Sequence, residues 1–88
     1  MADIFNTVNH EAHGHAFEIV TIWSETEWQL MVLDEKKRHV GPIYSISMEN
    51  AQDFEHYKKE PAVEALIDIA KADLDSGRVK STVAMEQA

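Results

Sequence analysis

From Ala16 onward, large apolar side chains crowd into two runs, AFEIVTIWS and EWQLMVLD, separated by the polar break SETE. Both runs are rich in β-branched, aromatic and long aliphatic residues, and a short polar interruption between two such runs predicts a β-hairpin. Symmetrical pairing across the break sets Trp23 opposite Trp28. One face then gathers Phe17, Ile19, Trp23, Trp28, Leu30 and Val32, and that face is the expected core. The run HVGPIYSIS, residues 39–47, predicts a third strand. Pro42 has no amide to donate, so this strand belongs at an edge or bends where Gly41 and Pro42 sit.

Beyond it the period changes from two to that of a helix. Ser47 is placed to cap MENAQDFEHYKKE, and Glu49 suits the positive end of the helix dipole. Met48, Ala51, Phe54 and either Tyr57 or the stem of Lys58 supply the buried stripe. Pro61 fits the first position of a second helix that runs to about Ser76 and stops at Gly77. Val63, Leu66, Ile67, Ala70 and Leu74 recur on one face of that helix. The fold expected is α+β: a three-stranded antiparallel sheet in β-β-β-α-α order, with the helices on one face. Residues 1–15 read as a polar, histidine-containing arm, 16–78 as a single domain and 79–88 as a tail. In that tail, Val79 to Val83 reads either as a short strand or as a frayed end.

Alternation gives the hairpin a second face, with Glu18, Val20, Ile22, Gln29, Met31 and Leu33. Four of these six are large and apolar, whereas a half-solvated antiparallel sheet is normally polar on its open side. Three occupants compete for this face: the arm and tail of the chain, a second copy, or another protein. Val20, Ile22, Met31 and Leu33 are accordingly candidate interface residues, and a homodimer is the reading favoured.

Composition narrows the function. The chain of 88 residues has a formal net charge of −8 and no cysteine, which excludes disulfide and thiolate chemistry. A negative chain is poorly suited to neutralising phosphates, so direct nucleic-acid binding is not expected. No secretory pattern opens the chain, and no apolar run reaches the ~20 residues of a membrane helix, so a cytoplasmic protein without membrane contact is expected. Glu64 and Asp68 lead an acidic strip on the second helix that reads as a solvated face or as a surface for a basic partner. In its sharper form the second reading makes the chain an acidic, nucleic-acid-like inhibitor of a basic enzyme.

The stretch NHEAHGHAF places His10, His13 and His15 close together. Imidazoles at such spacing are candidate ligands for zinc, copper or nickel. The stretch departs from the HExxH pattern, since His10 and His13 are three apart and Gly14 stands where the second histidine belongs. The three glycines are too scattered to cradle a phosphate, and no serine sits in a nucleophile elbow. The expectation is a small, acidic, non-enzymatic binding module without a cofactor. The alternatives are a metal-binding protein and an acidic inhibitor.

Overall fold

The computed structural model describes residues 3–83, with side chains from Asn6 onward. Its elements run in the order β1 (Asp3–Ala12), β2 (His15–Trp23), β3 (Glu27–Leu33), β4 (His39–Ser47), α1 (Met48–Lys58) and α2 (Ala62–Asp75). The four strands form one antiparallel sheet in the order β1-β2-β3-β4. The hairpin expected around SETE is β2–β3, with Trp23 paired to Trp28 and Ile19 to Val32. Among the described residues no helix is long and apolar enough to cross a membrane.

The sheet has four strands rather than three. The polar stretch before Ala16 is itself a strand, β1, and pairs with β2 from Asp3↔Trp23 to Ala12↔His15. The turn between them explains why it can. His13 and Gly14 both take positive φ, 55° and 79°, the two-residue geometry whose twist matches the flanking strands. Glycine adopts that conformation without strain, and histidine is among the residues that tolerate it. As an edge strand β1 needs few apolar side chains, and among its described side chains Val8 and Ala12 turn toward the core.

α2 lies against one face of the sheet, and α1 packs against α2 and β4. Phe17, Ile19, Leu30, Val32 and Val40 meet Leu66, Ala70 and Leu74 of α2 in a single core. Of the expected core pair, Trp28 is partly buried against this cluster while Trp23 remains 40% exposed. Ser47 caps α1, its hydroxyl accepting from the main-chain N–H of Asn50. Tyr57 is 81% exposed, and Ala51 is the residue α1 buries fully. Pro61 stands one position earlier than expected, as the N-cap of α2. It has no side chain to offer, and Glu55 of α1 accepts the Ala62 N–H instead, at 3.0 Å.

β4 is an edge strand and is bent where Gly41 and Pro42 fall. Leu30 pairs with Tyr44 and Val32 with Val40, so β4 takes extra residues where β3 takes none. Gly41 has φ 73°, and a Cβ there would lie 2.7 Å from a methyl of Val79. Val79 is therefore seated directly on the bend. Val79 to Ser81 form no strand, and a helical turn begins at Thr82. The rest of the expected tail, 84–88, lies outside the described residues.

Leu74 is fully buried at the centre of the helix layer. Leu74→Ala should lower unfolding free energy by ~2–5 kcal/mol in urea titration. Against roughly 4–13 kcal/mol for a chain this size, that is a large share.

Candidate functional site

Side chains alternate across a strand, so burial of Phe17, Ile19, Thr21, Leu30 and Val32 under the helices fixes which residues face the other way. The helix-free face carries Thr7, Asn9 and Glu11 from β1, then Ala16, Glu18, Val20 and Ile22 from β2. From β3 it carries Glu27, Gln29, Met31 and Leu33, and from β4 His39, Ile43 and Ser45. Val20 is 7% exposed, while Ile22, Met31 and Leu33 are half-buried. Ile43, which sequence reasoning did not single out, adds an apolar side chain 52% exposed. Its neighbours on the same side of β4, His39 and Ser45, are polar, so the strand's own pattern does not mark that side as apolar.

Charge on this face is confined to its ends. Glu11 and Glu18 lie toward the β1–β2 turn, where Glu18 pairs with Lys37. Glu27 lies at the other end and accepts a hydrogen bond from Gln29 at 2.7 Å. Val20, Ile22 and Met31 thus form an uncharged middle, and Leu33 borders it in the row of Glu18 and His39. Glu64 and Asp68 are exposed on α2, on the opposite side of the molecule from that patch.

The histidines do not gather. His10 donates from Nε2 to the Asp75 carboxylate at 2.8 Å, and His13 donates from Nε2 to the Asp75 carbonyl at 2.9 Å. His15 turns to another element and donates from Nδ1 to Glu35 at 2.8 Å. Carbonyl and ionised carboxylate oxygens only accept, so each contact fixes a proton on the named nitrogen. The three imidazoles tie the β1–β2 turn to the C-terminal end of α2 and to the β3–β4 loop. Among the described residues, no group of three His, Cys, Asp or Glu side chains is arranged to hold a metal ion.

Asp34 is not the solvated loop acid that its turn position suggests, and Glu35 beside it is exposed but hydrogen-bonded. Asp34 is buried, and one carboxylate oxygen accepts from the main-chain N–H groups of Lys36 and Arg38, at 2.9 and 3.0 Å. The other oxygen takes the main-chain N–H and the hydroxyl of Thr82. Burial by itself would push the Asp34 pKa up, but these donors outweigh it and hold the value at about 2. Glu35 is held below the ordinary carboxylate range, first by the Ser81 hydroxyl and then by His15. The available signal was an aspartate opening a polar turn, where such side chains fold back onto the backbone. Its second set of partners, 48 residues away, had no local trace.

A cleft of about 490 Å³ opens beside this tie, floored by Phe17 and Val79 and edged by His13, His15 and Lys80. The pairing order there does not assemble a nucleophilic triad: Glu35 stands between Ser81 and His15, so the hydroxyl meets the carboxylate and not the imidazole. Comparison of the chain with protein-family models, with curated proteins and with solved structures finds no match.

Asp34 gives the fold an acid limit. Its folded value lies below the ordinary 3.8, so its stabilisation is complete above that pH and is lost as pH falls toward 2. Asp34→Ala leaves its buried donors without an acceptor and should cost ~2–4 kcal/mol near neutrality. Urea titrations across pH 2–7 should show that the gap between wild type and variant closes toward the acid end.

Proposed function

We propose that this chain works by contact rather than by catalysis, as a small acidic module that pairs with a second copy of itself through the helix-free face of its sheet. One observation carries the reading: the apolar middle of that face, Ile22 and Met31 around Val20 with Leu33 at its border, has no helix over it among the described residues, and its nearest carboxylate, Glu18, is paired with Lys37. Contiguous apolar surface left partly open to water, here continued by the exposed Ile43, is a mark of contact sites.

Two quantities favour a second copy as the occupant. The chain carries a net charge of −8, so two copies repel wherever carboxylates meet. The sheet face is where that cost is smallest, because its acids stand at the ends and one is already paired with Lys37. Area agrees. Four strands spaced ~4.8 Å, with ~3.3 Å per residue, present roughly 500 Å² in plan. Side-chain relief brings the accessible area toward the ~800 Å² that each partner gives to a standard interface. Met31 suits such a contact, since its unbranched side chain repacks readily against an identical neighbour. A two-fold axis through the sheet makes the patch self-complementary.

Light scattering coupled to gel filtration tests this at ~100 μM, where a micromolar dimer is populated. The wild type should elute at twice the 10.0 kDa chain mass. Ile22→Glu, which places a carboxylate in the middle of the patch, should elute at 10.0 kDa with unchanged far-ultraviolet circular dichroism. A wild type that stays at the single-chain mass overturns the proposal.

A further inference from the structure

On the helix side of the sheet α2 does not reach fully over β1, and a groove of about 330 Å³ runs between them. Asn6, Val8 and Thr21 form its sheet side, and Glu64, Asp68 and Lys71 form its helix side. Thr21 is anomalous. It is 0% exposed, in register with Leu30 and on the same face as Ile19, where an aliphatic side chain would pack without penalty. Its hydroxyl has no hydrogen-bond partner among the described residues. A buried, unsatisfied hydroxyl destabilises a fold, so its place under a groove calls for a ligand that satisfies it.

The walls indicate the ligand's charge. Glu64 and Asp68 stand one helical turn apart on the same face of α2, and among the described residues no ion pair engages either. The net charge of −8 adds a long-range field that draws cations toward them. The acceptors lie on different elements: two carboxylates on the helix side and the Thr21 oxygen beneath, while the Asn6 amide oxygen on the sheet side already accepts the Thr7 N–H at 2.9 Å. A metal ion needs its ligands converged at one point, and the described residues hold no group of three His, Cys, Asp or Glu side chains so arranged. A planar guanidinium carries five N–H donors pointing in several directions, and its aliphatic stem matches the Val8 wall.

We infer that the groove between β1 and α2 receives an arginine side chain of a basic protein partner, with Glu64 and Asp68 meeting the guanidinium and the Thr21 hydroxyl accepting one N–H at the floor. Lys71 stands at the mouth three residues beyond Asp68 and opposes the incoming charge. The groove lies on the opposite side of the sheet from the proposed self-contact, so the two readings stand or fall separately.

The probe is acetyl-arginine methylamide, titrated into the isotope-labelled full chain at low salt and followed by amide chemical shifts. Saturable shifts should concentrate at residues 6–8 and 63–71. The neutral isostere, acetyl-citrulline methylamide, should bind at least about tenfold more weakly. Asp68→Asn, a surface change that leaves the core intact, should weaken arginine binding about fivefold or more, and Lys71→Gln should strengthen it. Thr21→Val is the decisive variant. It should raise Tm by roughly 4–8 °C by removing the unpaired hydroxyl, and yet lower arginine affinity severalfold. Equal binding of citrulline, shifts scattered over other acidic positions, or unchanged affinity in both Asp68→Asn and Thr21→Val would each overturn the inference.

Discussion

The two central strands carry large apolar side chains on both sides, and a single layer of helices can dry only one of them. That constraint organises the molecule. The shortest Cα dimension is 17 Å, room for one sheet and one helical layer and no more. Under α2 the buried face is closed by Ile19, Leu30, Val32 and Leu74. On the other face Val20 is buried, and Ile22, Met31 and Leu33 are left partly wet. The free-energy gain from removing such surface from water, ~25 cal/mol per Å², is what a contact partner would collect.

A chain this short has little core, and polar ties do much of the work of joining its elements. Asp34 binds the β3–β4 loop to Thr82, and Glu35 links Ser81 to His15. His10 and His13 hold the β1–β2 turn onto the end of α2. Tyr44 donates to Asp73 at 2.7 Å and joins β4 to the same helix. Burial and that carboxylate push the Tyr44 pKa above its ordinary value, so the phenol remains a donor throughout the accessible range. These ties converge on one end of the sheet, where the segment after α2 returns across the Gly41 bend. Thr21 breaks the pattern, as a buried hydroxyl left without a partner in an otherwise satisfied interior.

How much of this was legible follows from the range of each signal. The β2–β3 register could be read because its alternation is strong and symmetrical about SETE, which places Trp23 against Trp28. Ser47 announced α1, and the 3, 4, 7 spacing announced α2. β1 was hidden because an edge strand needs few apolar residues, and Asn6, Thr7, Asn9, His10 and Glu11 read as loop. The His13-Gly14 pair was its one local mark. The apolar helix-free face was visible from alternation in β2 and β3, but Ile43 was not, since His39 and Ser45 beside it on β4 are polar. The roles of the histidines and of Asp34 depend on partners 20 to 65 residues away, beyond the reach of any local pattern.

The molecule therefore presents two unlike surfaces on opposite sides of one sheet: an uncharged apolar patch and an acidic groove over an unpaired hydroxyl. The central claim concerns the first, and isotope-filtered nuclear Overhauser spectroscopy on a mixture of labelled and unlabelled chains addresses it most directly. The account predicts contacts between copies that link the methyl groups of Ile22, Met31 and Leu33 to one another. Contacts between copies that arise from the helices alone, or none at concentrations where the chain is fully folded, would contradict it.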